Sequence, residues 1–377
     1  MKFNIWKDYP NKPLPEVLSF IVDNRGKTVP TDPNGKYTLI ATNCIRNENL
    51  YPTHEKIRTL NERTYREWFR AHPEPNDIIF VNKGTPGRVC LVPNPVNFCI
   101  AQDMIALRAN PKIIYYKYLF AVLRSSKIQN QIKSTTVGDV IPHFKKHQLK
   151  ELNIPIPPMN IQKTIGDYYF MFCEKEECNK KINKNLEAQT QAIYVNTFVT
   201  DADSSWPEGK LSDLIEVCYG KDHKKLNDGD IPVYGSGGIM RHVDQALYDQ
   251  ESVLVPRKGT LNNVMYVNEP FWSVDTMFFT KMKRQNVAKF VFHFLKGKDL
   301  AAMNAGSAVP SMTTKILDAI PLQIPDDQTL STFEAQVSPF YQAVTYNNKE
   351  SETLAAVRNA LLPKLMSGEI DVSDIDL

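Results

Sequence analysis

Apolar and polar residues alternate in two stretches of the chain that lie 168 positions apart (317 − 149). The first stretch covers residues 149–156 and stops at Pro157, and the second covers residues 317–324 and stops at Pro325. Alternation with a period of two predicts a short strand with one buried face. A long stretch of helical periodicity follows each strand, so the chain repeats a unit made of a mostly β region and a long helix.

Both helical stretches have the 4-3 heptad pattern of a coiled-coil seam. In the first, the frame holds Ile161, Ile165, Tyr168, Phe172, Ile182, Leu186 and Ile193, with Lys175, Asn179 and Gln189 as polar interruptions. In the second, it holds Phe333, Phe340, Asn347, Leu354, Val357 and Leu361. The two helices are therefore expected to pair as an antiparallel coiled coil.

Two single residues add detail to this helical pattern. Asn179 and Asn347 are equivalent in the repeat, and a polar seam residue often fixes the register of paired helices. We expect these asparagines to pair helix against helix, with solvent exposure as the alternative. Pro339 lies inside the second helix and is expected to kink or break it.

The repeat extends upstream of the strands. Residues 138–142 (GDVIP) match residues 306–310 (GSAVP) at the same offset, and the Lys-Gly-Thr sequence of residues 83–85 recurs at residues 258–260. The resulting fold class is α+β, with two mostly β domains in tandem separated by two long helices. The predicted boundaries are a first domain at 1–158, a helix at 159–200, a linker at 201–208, a second domain at 209–325, a helix at 326–368 and a tail at 369–377.

Composition narrows the class of protein without naming a ligand. Of the 377 residues, 42% are hydrophobic and 23% charged, and no apolar run approaches the roughly 20 residues that span a bilayer. The start of the chain is unlike a secretory signal, which makes a cytoplasmic location the expectation. Six cysteines show no metal-ligand spacing, so we expect neither zinc nor disulfides. A net charge of +3 does not by itself indicate nucleic acid, so local clusters of cations carry that argument.

The order of several short motifs resembles the specificity subunits of type I restriction-modification enzymes over nearly the whole chain. The second copy carries this likeness at Trp206 and residues 209–215, 220–221, 229–238 and 257–260, and the helices carry it at residues 157–162 and 361–370. The first copy matches more loosely, at residues 14–18 and 26–28.

The resemblance implies a subunit that modifies no base itself and reads a bipartite, asymmetric DNA target with one recognition domain for each half-site. Its helices would set the separation of the half-sites and bind two methyltransferase subunits, and restriction subunits where these are present. S-adenosylmethionine, ATP and magnesium would then be bound by the partner subunits, and no cofactor is expected on this chain.

Basic and polar residues in glycine-containing loops are the candidate DNA contacts, because backbone and cation together can hold a phosphate. In the first copy they are Lys83, Gly84, Thr85, Arg88, Lys145 and Lys146. In the second copy they are Lys221, Lys224, Lys225, Arg241, His242, Arg257, Lys258, Thr260, Asn262, Asn263, Thr313, Thr314 and Lys315. Arg88, Arg241, His242, Asn262 and Asn263 are the candidate base readers, since their side chains offer donors or acceptors for base edges. Ordinary turns with solvated charges are the alternative for each loop, and helix capping is the alternative for the threonines.

Motifs for catalysis are missing from the sequence. The Pro157-Pro158 pair lacks the preceding Asn or Asp and the following aromatic residue of a base methyltransferase, and residues 26–28 lack the upstream glycine of a phosphate-binding loop. No His-Glu-x-x-His or Gly-x-Ser-x-Gly sequence occurs. The remaining alternative is a coiled-coil adaptor for protein assembly, which explains the heptads but gives no reason for the paired basic loops.

Overall fold

A computed structural model describes residues 4–24, 26–138, 141–303 and 310–370. Much of the glycine-containing repeat at 138–142 and 306–310, and the tail from residue 371, lie outside the described residues. The chain divides into two compact units. Unit 1 comprises Met1–Ile182 and Tyr346–Leu377, and unit 2 comprises Asn183–Thr345. Each unit thus contains one mostly β region with parts of both long helices.

Unit 1 begins with nine strands and three short helices. The strands are β1 (Asn11–Pro13), β2 (Leu18–Val22), β3 (Tyr37–Ile40), β4 (Arg58–Leu60), β5 (Ile78–Val81), β6 (Val89–Leu91), β7 (Phe98–Ile100), β8 (Met104–Ala109) and β9 (Asn153–Pro155). The helices are α1 (Glu62–Glu67), α2 (Tyr116–Arg124) and α3 (Ser126–Thr135). The nine strands form three sheets, of order β2-β8-β5-β6, β4-β3-β7 and β1-β9. The long helix α4 (Met159–Val195) follows and ends in a π-helical turn at Asn196–Thr200.

Unit 2 repeats this arrangement strand for strand. Its strands are β10 (Glu208–Lys210), β11 (Ile215–Tyr219), β12 (Ile231–Gly235), β13 (Gly238–Val243), β14 (Ser252–Pro256), β15 (Met265–Val267), β16 (Trp272–Ser273), β17 (Met277–Met282) and β18 (Pro321–Gln323). Its helices are α5 (Leu211–Leu214), α6 (Ala288–Lys296) and α7 (Thr314–Asp318), followed by the long α8 (Asp327–Ser367). The sheet orders are β11-β17-β14-β15, β13-β12-β16 and β10-β18.

The two units have the same pattern of parallel and antiparallel pairs. β3 pairs with β7 in parallel, and β12 pairs with β16 in parallel, whereas the other strand pairs in both units are antiparallel. The fold is therefore α+β with a tandem duplication.

Each unit packs its own core against its share of the long helices. In unit 1, Ile165 of α4 and Leu365 of α8 are buried together with Phe80 of β5 and Phe120 of α2. In unit 2, the corresponding cluster contains residues of β14, α6 and both long helices, namely Val253, Val255, Phe290, Val291, Tyr194, Phe333 and Val337. The long helices run antiparallel within each unit, because residues early in α4 meet residues late in α8 and the reverse holds in unit 2.

The break expected at Pro339 is wrong, since α8 is continuous from Asp327 to Ser367. Pro339 is exposed, and so is Ala335, whose carbonyl loses its helical donor to the proline ring. Water can satisfy that carbonyl, while the buried side chains of Phe333 and Val337 hold the same stretch against the core. Helix α8 ends where Gly368 adopts a φ of +71°, the left-handed conformation usual after a helix.

Ile161, Ile165 and Asn179 of the predicted heptad frame are buried, but most of the other buried positions of α4 lie one residue later than the frame predicts. The buried positions include Tyr169, Cys173, Glu176, Asn183 and Tyr194, whereas Ile182 of the predicted frame is 42% exposed. The difference arises because α4 packs on the sheets and helices of its unit as well as on α8, so more than one face is covered.

Candidate nucleic-acid interface

In unit 1, the predicted basic loop joins β5 to β6 at one end of the larger sheet. Gly84 has a φ of +85°, and its N–H donates to the backbone oxygen of Pro142 at 2.9 Å. Lys83 forms an isolated antiparallel bridge with His143. The loop therefore lies beside the segment that carries Lys145 and Lys146, so the structure brings the predicted cations of unit 1 together.

Unit 2 repeats this loop in backbone detail. Gly259 has a φ of +87°, and Lys258 bridges Ser311, which is equivalent to His143 in the repeat. Met312 N–H donates to the Arg257 oxygen at 2.9 Å, just as Phe144 N–H donates to the equivalent oxygen in unit 1 at 2.8 Å. A loop held by the same hydrogen bonds in both copies is a built feature of the fold, which a chance surface turn would not be.

The cations around the two loops differ in how they are held. In unit 1, Lys146 pairs with Asp23 at 2.9 Å, while Lys145 is exposed. In unit 2, the Arg257 guanidinium stacks 5.4 Å from the ring centre of Tyr219 and donates to the backbone oxygen of Asp275 at 3.2 Å. Asp23 neutralises the charge of Lys146. Among the described residues no carboxylate forms an ion pair with Arg257, so its oriented positive charge is suited to a phosphate.

Other cations of the predicted set keep their charge uncompensated. Among the residues that the structure describes, no ion pair holds Lys83, Arg88, Lys145, Lys221, Lys224, Lys225, Lys258 or Lys315. Most of these side chains are exposed, whereas Lys83 and Arg88 are half-buried. The Thr85 hydroxyl is buried without a hydrogen-bond partner, and Thr260 is exposed. Both loops thus present positive charge to solvent.

Three predicted base readers are engaged inside unit 2. Arg241 donates to the oxygen of Leu226 at 3.0 Å and to the Asp228 carboxylate at 3.1 Å. Asn262 donates to Asp299 at 3.1 Å and accepts from the N–H of Ala301 at 2.9 Å. These side chains, and Asn263 with its bond to Ser236 at 2.9 Å, hold loops in place.

The remaining polar candidates of unit 2 lie on the segments next to these loops. His242 is exposed on β13. Thr313 caps α7 by accepting from the N–H of Ile316 at 3.2 Å, which is the capping role left open by the sequence, and Thr314 is half-buried.

The helix-pairing candidates lie at three depths. Ile165 and Phe333 are fully buried, whereas Ile182 is 42% exposed. Half-buried positions are Phe172, Leu186, Phe340, Asn347, Leu354 and Leu361. Asn179 is fully buried, and its side-chain amide nitrogen lies 3.3 Å from the backbone oxygen of Asn347.

Polar contacts of α4 that the heptad pattern does not reveal lie on both sides of Asn179. Asn179 also donates to Glu350 at 2.7 Å and to Ser351 at 3.1 Å, and the Asn179 bond is the main cause that lowers the pKa of Glu350. Glu176 accepts two bonds from Arg358 at 2.7 and 2.9 Å, with both side chains 8% exposed. A search for apolar seam positions passes over such a pair, and the only signal was opposite charge at facing positions.

Metal and membrane features do not add to the site. No cluster of three or more His, Cys, Asp or Glu side chains suited to a metal occurs in the described part of the chain. Within the same residues, none of the helices combines the length and apolar character needed to cross a bilayer.

Comparison with known proteins identifies the family. The profile of the type I restriction modification DNA specificity domain matches residues 7–188 and 203–354. The type I restriction enzyme MjaIX specificity subunit of Methanocaldococcus jannaschii is 21% identical over 362 residues, covering 84% of this chain and 83% of the relative. The HindI specificity subunit of Haemophilus influenzae is 20% identical over 387 residues, covering 75% of this chain and 84% of the relative.

A solved structure agrees with the tandem fold. The type I restriction-modification S subunit from M. genitalium superimposes with a TM-score of 0.61 at 19% identity, covering 96% of this chain and 98% of that one. At this identity the likeness concerns the fold, and the profile match carries the assignment. The chain therefore belongs to the type I restriction-modification DNA specificity family, as a non-catalytic specificity subunit.

Proposed function

We propose that the chain reads a bipartite, asymmetric DNA target, with unit 1 on one half-site and unit 2 on the other. The observation that carries this proposal is the duplicated loop, in which a lysine next to a positive-φ glycine is held by equivalent backbone contacts in both units. A lysine without an ion-pair partner can neutralise a DNA phosphate, and a glycine loop lets the protein backbone approach that phosphate closely.

Differences between the two units support an asymmetric target. The connection from β12 to β13 is a tight turn between Gly235 and Gly238, whereas β3 and β4 are joined by residues 41–57. This longer connection is anchored, since Val89 N–H donates to Asn47 at 2.9 Å and Leu91 N–H donates to the Leu50 oxygen at 2.9 Å. Two different surfaces beside the same basic loop would read two different half-sites.

The long helices are the proposed docking surface for two methyltransferase subunits, and for restriction subunits where these are present. Exposed apolar side chains on the helices, including Met171 at 51% and Val357 at 39%, support this role. A duplicated chain offers two related surfaces to two copies of one partner. S-adenosylmethionine, ATP and magnesium would then be bound by those partners, in the cytoplasm where the DNA lies.

The test is to co-express the chain with its cognate methyltransferase and to map methylated bases across a genome. A single bipartite motif is the expected result. Lys83→Ala and Lys258→Ala should each weaken DNA binding at all sequences and lower the salt dependence by about one counterion, because each lysine would neutralise one phosphate. The charge-matched control is Arg63→Ala. Arg63 is an 84% exposed cation of α1 that pairs with Glu67.

The outcomes separate the alternatives. A methyltransferase complex without salt-sensitive DNA binding would favour the assembly adaptor. If the control and both lysine variants lose DNA affinity equally, the loss is due to the change in net charge and not to the loops.

A further inference from the structure

The β12–β13 hairpin of unit 2 holds two apolar side chains in solvent. Ile239 is 53% exposed and Met240 is 60% exposed. The strands pair up to Gly235 and Gly238, so only two residues form the turn, and Gly238 adopts a φ of +113°. Residues with a side chain rarely adopt that backbone conformation, so the turn requires glycine at this position.

The hairpin turn is fastened to the basic loop of the same unit. Asn263 donates from its side chain to the backbone oxygen of Ser236 at 2.9 Å. A Cβ atom on Gly259 would lie 2.9 Å from the Ser236 hydroxyl, so loop and turn are in close contact. A Cβ on Gly235 would lie 2.4 Å from the Met240 sulfur, so the thioether lies across that glycine. The turn therefore has a defined position beside the loop that carries Lys258, and Met240 has a defined position over Gly235.

Cations lie near this position, together with the exposed Asp275. β11 and β14 both end at this edge of the larger sheet, because Tyr219 pairs with Phe278 and Pro256 pairs with Met277 of β17. Arg257 directly follows the end of β14, and its guanidinium stacks on Tyr219. Lys221 follows the end of β11.

Single exposed apolar residues are ordinary, but two adjacent ones on a strand next to a tight turn, beside uncompensated cations, suit a ligand with both negative and apolar groups. Duplex DNA has phosphates, and the thymine C5-methyl group is the apolar group that its major groove displays.

We propose that Ile239 and Met240 contact thymine methyl groups in the half-site read by unit 2, while Lys258 holds the neighbouring backbone. This inference rests on the proposed function and names a specificity determinant within it. Unit 1 has residues 41–57 in place of the tight turn, so its half-site is read by other side chains.

The test uses the complex with its methyltransferase and target duplexes in which deoxyuridine replaces thymidine in one half-site at a time. Uracil keeps the hydrogen-bonding edge of thymine and lacks only the methyl group. For the wild type, we expect about fourfold weaker binding for each contacted methyl that is removed, and in one half-site only. The Ile239→Ser/Met240→Ser variant should bind thymidine and deoxyuridine duplexes equally in that half-site. Ile239→Val/Met240→Leu should retain the wild-type preference.

A matched control is Phe20→Ser, at a 46% exposed aromatic residue in the middle of β2. It should leave the preference for thymidine unchanged. If the wild type binds a bipartite target but tolerates deoxyuridine in both halves, or if the serine variant keeps the wild-type preference, the methyl contact is wrong and the proposed function stands. If the wild type has no bipartite target, the proposed function itself fails. The wild-type measurement decides the inference even where the serine variant does not fold.

Discussion

Lys289 in unit 2 is a buried cation whose removal should strongly destabilise the fold. Its side chain is 5% exposed and lies 3.0 Å from Glu251 and 2.5 Å from Glu334, so it joins the β region to helix α8. The rings of Tyr266 and Tyr341 lie 5.2 and 5.4 Å from its ammonium group. Lys289→Met would leave two carboxylates facing each other without a cation.

The expected cost can be worked out from these contacts. Removing one partner of a buried ion pair costs about 3–5 kcal/mol. Glu251 is 30% exposed and Glu334 is 20% exposed, so water recovers part of their solvation and we expect the lower end, about 3 kcal/mol. That loss corresponds to about 100-fold faster hydrogen exchange at the backbone amides that are exposed only when unit 2 unfolds.

The duplication supplies the control for this prediction. Lys117 is the second residue of α2, as Lys289 is of α6, but among the described residues its one ion pair is with Asp167 at 2.8 Å. Asp167 is 33% exposed, so Lys117→Met should cost only about 1 kcal/mol.

The assay is hydrogen exchange followed by mass spectrometry, with β14 reporting on unit 2 and β5 on unit 1. Lys289→Met should speed exchange in β14 much more than in β5. Adding Glu251→Gln and Glu334→Gln to it should restore most of the protection. Equal effects in both strands, or no recovery in the triple variant, would refute the electrostatic reasoning.

Three further predictions concern buried polar groups. Burial holds the pKa of His293 at about 4, below its ordinary 6.5, so the unfolded chain takes up a proton first as the pH falls. Unit 2 should therefore lose up to about 3 kcal/mol between pH 6.5 and pH 4, and a His293→Leu variant measured by urea unfolding should lack that dependence. Arg358→Met should cost unit 1 about 3 kcal/mol, and Glu176→Met/Arg358→Met should recover most of it in a double-mutant cycle; additive losses would contradict the pairing. Asn179→Asp keeps the shape but sets a carboxylate against Glu350, so thermal unfolding should show a cost of about 2 kcal/mol that Glu350→Gln reduces.

The sequence was sufficient to predict the duplication, because both copies must bury the same apolar faces. Alternating residues before Pro157 and Pro325 mark β9 and β18, and heptads mark α4 and α8. The lysine and glycine of each basic loop were also readable, because a positive φ at Gly84 and Gly259 requires a residue type that is visible in the sequence.

Tertiary packing alone decided the features that depend on several neighbours at once. A heptad pattern assumes that a helix has a single partner, whereas α4 also packs on the β regions. Part of the buried seam therefore lies at positions outside the heptad frame, such as Tyr169 and Cys173. Pro339 is tolerated because the surrounding core holds the helix. Asn262 and Arg241 have the side chains of base readers, but folding brings acceptors from distant segments within reach of them. Local sequence determines which conformations and charges a segment can offer, and only the folded chain determines which of those groups remain available to a ligand.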